Sequence, residues 1–197
     1  MSLEIKILTG SQASEYLSEL AALRIEIFRE FPYLYDGDLD YEKKYLSRYF
    51  NTRDAHIITV FDDNQLVGAS TCMPLWKEME EIQKPFSDKG LNRHEYFYLG
   101  ESVLQKKYRG QGVGKLFFKH REQLALKYAQ VKFTAFCAVL REINHPMKPA
   151  HYRPLNEFWE KTGYKQNPQL IAKLMWKDIN EEFETQKQLE FWIKKLR

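Results

Sequence analysis

The stretch with the most chemical content is Arg109-Gly110-Gln111-Gly112-Val113-Gly114-Lys115. It follows a β-rich run, Tyr96 to Leu104. It precedes a run with Val113, Leu116, Phe117, His120, Leu124 and Tyr128 at helical spacing. A strand therefore enters a glycine loop and a helix starts at once. The first N–H groups of a helix have no partner inside it, and the helix dipole adds positive potential at the same place. Glycines let a bulky anion approach the backbone. The stretch reads as a pyrophosphate cradle, with Arg109 and Lys115 supplying charge. Two rival phosphate motifs fail at named residues. A P-loop needs glycine where Arg109 stands and Ser or Thr where Leu116 stands. A dinucleotide fingerprint needs a glycine where Lys115 stands. A glycine-rich turn without a ligand fits the six-residue pattern equally well.

The elements that must position this loop follow from periodicity and punctuation. Leu3 to Leu8 alternates as a strand. Ser11 can cap a helix running to about Phe31, where Pro32 stops it. A loop around Asp36-Gly37-Asp38 leads to a short helix from Asp40. His56–Phe61 and Leu66–Met73, joined by Asp62-Asp63-Asn64-Gln65, predict an antiparallel hairpin. Trp76 to Lys84 fits one or two helical turns, and Pro85 to His94 reads as a polar loop. Val131 to Leu140 is short and nearly all apolar, as a strand buried on both faces should be. A short helix from Leu155 to Lys161 ends at Gly163. Leu170 to Trp176 is a further strand. Asp178 and Glu181 resemble a capping box, opening a last helix over 179–197 with Leu189, Trp192, Ile193 and Leu196 on one side. This order predicts a single α/β domain with a mixed sheet.

Composition narrows the classes. Hydrophobic residues at 44% and aromatics at 15% supply a core and argue against disorder. The net charge of +3 comes from basic residues dispersed among acidic ones, which argues against a nucleic-acid partner. The longest apolar run, Phe133 to Leu140, is too short to cross a bilayer. The N-terminal residues lack the pattern of a secretory signal. Cys72 and Cys137 fit neither a disulfide framework nor a metal motif. A cytoplasmic protein with no membrane partner and no metal is the expectation.

Arg109 to Gly114 resembles the acyl-CoA pyrophosphate loop of the GNAT superfamily of N-acetyltransferases. A second segment about forty residues on is also similar. It is a buried strand, Val131 to Leu140, then Asn156-Glu-Phe-Trp-Glu-Lys-Thr-Gly-Tyr164. The resemblance implies a mixed, mostly antiparallel sheet that splays open between the strands at 96–104 and 131–140, flanked by helices, with acetyl-CoA or another acyl-CoA as co-substrate in the opening. It implies pantetheine contacts at Ser102, Val103 and Leu104, and pyrophosphate contacts at Arg109, Gly110, Gln111, Gly112, Val113, Gly114 and Lys115. Asn156 and Trp159 would lie against the cofactor. The last helix would be an addition to the common core, and a homodimer is one option.

Acetyl transfer to an amine requires that the ammonium lose a proton, that the oxyanion be stabilised and that the thiolate leave. Glu101 stands where the family often places its base, and the alternative is a solvent-facing strand residue. A backbone N–H near Val103 or Leu104 would hold the oxyanion. The resemblance places a Tyr, as general acid, where this chain has Trp159. Indole cannot hand over a proton, so Tyr152 is the first substitute. Arg24, Phe28, Tyr33 and Tyr35 are candidates for the substrate site. The first belongs to an apolar helical stripe, and the last two to a segment rich in Tyr and in Asp and Glu, which suits a cationic amine. The same segment equally reads as an acidic loop whose aromatics pack on the body. The expected activity is acyl transfer from acyl-CoA to a primary amine of a small molecule or peptide. The alternative is a non-catalytic acyl-CoA-binding regulatory module that lost the acid.

Overall fold

The computed structural model describes residues 3–197. Its elements run β1 (Glu4–Thr9), α1 (Gly10–Ala13), α2 (Leu17–Phe28), α3 (Leu39–Asn51), β2 (His56–Asp62), β3 (Gln65–Pro74), α4 (Glu80–Asp88), β4 (Tyr96–Leu104), α5 (Val113–Ala125), β5 (Phe133–Val139), α6 (Asn156–Lys161), β6 (Lys165–Trp176) and β7 (Thr185–Lys195). The strands form one sheet in the order β1-β2-β3-β4-β5-β7-β6. Every neighbouring pair is antiparallel except β4 and β5, which are parallel. Helices cover both faces, giving the mixed and mostly antiparallel α/β sheet expected.

Strand alternation sends successive residues to opposite faces. Ile58, Val60, Phe97, Leu99, Phe136 and Trp192 pack with α5 through Val113, Phe117, Phe118 and Leu124. Ile57, Ala69, Met73 and Val103 pack on the other face with Leu20 and Leu23 of α2 and Leu46 and Tyr49 of α3. Further along that sheet Ile82 and Phe86 of α4 meet Tyr96, Tyr98, Leu170 and Phe191. Among the described residues no helix is long and apolar enough to cross a membrane.

Three expectations are corrected. The last segment is not a helix but β7, inserted between β5 and β6. Leu189, Trp192, Ile193 and Leu196 satisfy helical spacing, but Leu189, Phe191 and Ile193 also alternate, and those three pack on α4's side while Trp192 faces α5. Half of the predicted capping box exists: the Asp178 N–H donates to Glu181 Oε2 at 3.1 Å. It closes the turn before β7 rather than opening a helix. Secondly, Pro85 does not begin a loop. It lies inside α4, whose buried Ile82 and Phe86 stripe outweighs the broken backbone bond. Thirdly, the helix expected from Ser11 to Phe31 breaks into α1 and α2 and ends at Phe28. Thr9, not Ser11, starts it, with the Thr9 N–H donating to Gln12 Oε1 at 2.9 Å.

Because β7 is an inner strand, Phe191→Ala should cost about 3–5 kcal/mol of stability, the usual loss for a buried Phe. Urea unfolding checks this. A loss below about 1 kcal/mol, in the range of a surface change, would fit an appended helix instead.

Candidate active site

The sheet opens where β4 and β5 part. Their ladder covers Tyr96, Phe97 and Tyr98 against Phe133, Thr134 and Ala135, and stops there. On its other side β4 carries a bulge: Ser70 faces Ser102 while Cys72 faces Leu99, so β4 has one residue more than β3 across this step, at Gly100–Glu101. A bulge bends its strand and re-aims side chains. Gly100 is required because a Cβ there would stand 2.3 Å from Thr71 Oγ1. Past the bulge, the Gln105 N–H donates to the Val67 carbonyl at 3.0 Å. By alternation Val103 is bound to β3, and the main-chain groups of Ser102 and Leu104 face the opening. Of the three residues expected to contact a pantetheine arm, Ser102 presents its backbone to the opening and Leu104 its N–H, the Leu104 carbonyl being bonded by Arg109. The Val103 N–H, expected to hold an oxyanion, is instead turned to β3.

The glycine loop lies at the end of β4. Gly110 and Gly112 have φ of +78° and +86°, and Gly112 is the N-cap of α5. A Cβ at either meets nothing within 4 Å. Glycine is needed there for the left-handed backbone, and the space beside it is open. Among the described residues, none of the N–H groups of 110–114 donates a hydrogen bond. Five consecutive free amides at a helix N-terminus are the donors an anion needs. The Gln111 side chain stiffens the turn by donating to the Lys107 carbonyl at 2.9 Å. Gly114 lets Phe158 of α6 approach, where a Cβ would lie 3.3 Å from its ring. Val113 is buried in the core and Lys115 is exposed. Arg109 does not face the loop: it forms a fork with Glu30 at 2.9 and 3.2 Å and donates through Nε to the Leu104 carbonyl at 3.0 Å. Asn156 is exposed at the start of α6. Trp159 packs edge-on against Phe136 and Trp192, so its ring is part of the core under the opening.

On the face opposite α5 the bulge turns Glu101 toward α2 and α3. Its Oε1 is 2.6 Å from Arg24 Nη1, with both side chains under 10% exposed. Arg24 Nε donates to Glu42, and its guanidinium lies 4.3 Å from the Tyr45 ring and 5.0 Å from that of Phe28. A second buried group lies close by. Glu78 accepts from Tyr49 Oη at 2.6 Å and from the Met79 N–H at 2.7 Å, with Arg48 at 3.5 Å. Burial holds the Glu78 carboxyl above its usual range. At the fork between β4 and β5, Tyr98 Oη meets Cys137 Sγ at 3.2 Å. Burial pushes the Cys137 thiol up to about 12, and Tyr98 also upward, so both stay protonated.

The aromatic, acidic segment is mostly structural. Asp36 pairs with Lys177 and Arg29, Asp38 caps α3 through the Tyr41 N–H, and Glu42 is buried on Arg24. Tyr33 stacks on Trp176 and meets Phe28 at 4.6 Å, and Tyr35 bridges to Asp178. Desolvation raises the Tyr33 phenol, which stands in the field of Cys137, Glu101, Arg24 and Tyr152. Arg141 pins this segment by donating to the carbonyls of Pro32 and Tyr33 and to Asp178. Tyr152 is half-buried, edge-on to Phe31 at 4.7 Å, and its phenol is raised by burial. Among the described residues no three His, Cys, Asp or Glu side chains are placed to hold a metal ion. Sequence reasoning missed Glu30, and it placed Glu42 only in the acidic segment, not on Arg24. The burial of Glu42 could have been found, because Glu42 lies on the same helical stripe as Leu46 and Tyr49, four and seven residues on.

Gly112→Ala should remain folded with a loss of about 1–2 kcal/mol for a non-glycine residue in the left-handed region. The same change should weaken coenzyme A at least about tenfold, or 1.4 kcal/mol, when titrated calorimetrically. Wild-type affinity in the variant would show that the loop is not the cradle.

A family model, the acetyltransferase (GNAT) family, matches residues 20–164. No curated protein matches the chain. Solved structures share the fold at low identity. The Arabidopsis thaliana NAA60 in complex with acetyl-CoA is 14% identical, with 99% of each chain covered and a TM-score of 0.63. The PaiA N-acetyltransferase of Thermoplasma acidophilum in complex with coenzyme A is 14% identical, 99% of each chain, TM-score 0.55. An acetyltransferase from Thermus thermophilus is 13% identical over 100% of this chain and 98% of the other, TM-score 0.57. The family match spans α2 through the glycine loop to α6, so this chain is a member of the GNAT family of acetyltransferases.

Proposed function

We propose that this acetyltransferase moves an acetyl or other acyl group from acyl-CoA to the primary amine of a small molecule or peptide. The observation that carries the reading is the row of free N–H groups over residues 110–114, at the mouth of an opening that exposes β4 backbone and leads to a buried carboxylate. Two of the similar structures contain acetyl-CoA or coenzyme A. NAA60 has also been solved with a bisubstrate analogue, at 14% identity to this chain.

In this reading the amides of 110–114 take the pyrophosphate, with Lys115 and a released Arg109 adding charge. Ser102 and Leu104 bond the pantetheine arm as an added strand would. A free N–H of that edge stabilises the oxyanion. Glu101 takes the proton of the incoming ammonium, since an alkyl amine with a pKa of about 10 arrives protonated. Tyr152, kept neutral by its partial burial, delivers a proton to the departing thiolate. The two thiols, Cys72 and Cys137, are free, which suits a reducing cytoplasm.

Two measurements follow. Glu101→Gln should keep coenzyme A affinity and lower kcat/KM at neutral pH by at least about a hundredfold, the low end for a positioned base. Activity should recover as pH nears the amine's own pKa. A wild-type pH profile would remove Glu101 from the mechanism. Tyr152→Phe should lower kcat by about a hundredfold or more, and Trp159→Tyr should change it little. The reverse pattern would show that Tyr152 is not the acid.

A further inference from the structure

The buried charges around Glu101 are arranged as a chain of three. The guanidinium of Arg24 sits between two carboxylates: its Nε donates to Glu42 Oε2, and its Nη1 lies 2.6 Å from Glu101 Oε1. The two contacts are unequal. The one to Glu42 is an aligned hydrogen bond, whereas Nη1 is buried with no aligned partner although Glu101 stands beside it. Tyr45 and Phe28 fix the plane of the guanidinium by stacking on it. All three charged side chains are nine-tenths or more buried.

A carboxylate that has a guanidinium to itself loses proton affinity, by about 1–3 pH units. Such a group is a poor acceptor for an ammonium proton. A second carboxylate on the same cation leaves the cluster with a net negative charge and returns part of that affinity. We propose that Arg24 and Glu42 are positioning residues for Glu101: Arg24 fixes the direction of its carboxylate, and Glu42 takes up part of the cation's charge, so that Arg24 does not bind Glu101 alone. This rests on the reading of Glu101 as the base.

Other charged and titratable groups lie within the electrostatic reach of Glu101. Tyr45, Arg48 and Tyr49 come from α3, Tyr33 from the segment before it, Glu78 from the segment after β3, and Arg121 from α5. Arg48, Tyr49 and Glu78 are paired with one another. Arg121 is held to its own helix through the Phe117 carbonyl. A change at position 42 leaves those contacts in place, which makes the Arg24 chain separable by mutation.

The test is the pH dependence of kcat/KM for acetyl transfer to one active primary amine, with full-length variants checked for folding and for coenzyme A affinity. Glu42→Gln leaves Arg24 to Glu101 alone, so the acidic limb should move down by about one pH unit. Arg24→Gln removes the cation, so the limb should move up by at least about one unit, and Arg24→Lys should bring it partly back. Glu42→Asp, which keeps the charge, should lower kcat while leaving the limb near its wild-type position. It serves as the readout if Glu42→Gln does not fold. Limbs that stay put while activity falls, or that move the same way in both Gln variants, would overturn the proposal. A Glu101→Gln variant with the wild-type profile would instead overturn the base reading itself, and the proposal with it.

Discussion

β4 cannot pair with both of its neighbours along its whole length, and the site depends on that limit. One extra residue at Gly100–Glu101 bends the strand against β3, and its parallel ladder with β5 ends at Tyr98. Unpaired backbone groups of a strand inside a sheet are costly unless something bonds them. Here the cost falls beside a glycine loop whose own amides are also free. Two sets of unsatisfied donors, one on a strand and one at a helix start, thus lie along a single path. A ligand with a peptide-like arm and an anionic head satisfies both, as coenzyme A would.

The bulge also separates the two ends of the chemistry. The loop and α5 belong to one face of the sheet, and Glu101 is turned to the other, under α2 and α3. A molecule threaded through the opening would present its reactive end to the second face while its phosphates stay on the first. The residues of that second face are held by interactions that cross the fold. Arg141 ties the segment after α2 to the turn after β6, and Glu30 at the end of α2 is tied to Arg109 of the loop.

How far this could be read from the sequence differs by region. Strands with a single clear period, such as His56–Phe61 and Tyr96–Leu104, and the glycine loop with its helix were legible, because local chemistry dictates them. The last strand was not. Leu189, Trp192, Ile193 and Leu196 fit a helix as well as alternation fits a strand, and only the slot between β5 and β6 decides between the two. The helical turns expected before Pro85 continue through it as α4, because burial of Ile82 and Phe86 prevails. In the site, Gly110 and Gly112 were singled out by type and spacing, and Glu101 by the family resemblance. The partner of Glu101 is Arg24 of α2, 77 residues earlier, which in turn binds Glu42 of α3, and long-range pairing of this kind leaves no local pattern. Arg109 was expected to supply charge to the loop. Its partner Glu30 lies 79 residues earlier and could not be seen.

A crystal structure of the chain with coenzyme A bound tests the central claim most directly. The account predicts pyrophosphate oxygens within hydrogen-bond distance of the N–H groups of 110–114, the pantetheine bonded to Ser102 and Leu104, and the thiol end emerging beside Glu101. Coenzyme A bound elsewhere on the surface, or β4 and β5 paired past Tyr98 with the opening closed, would contradict it.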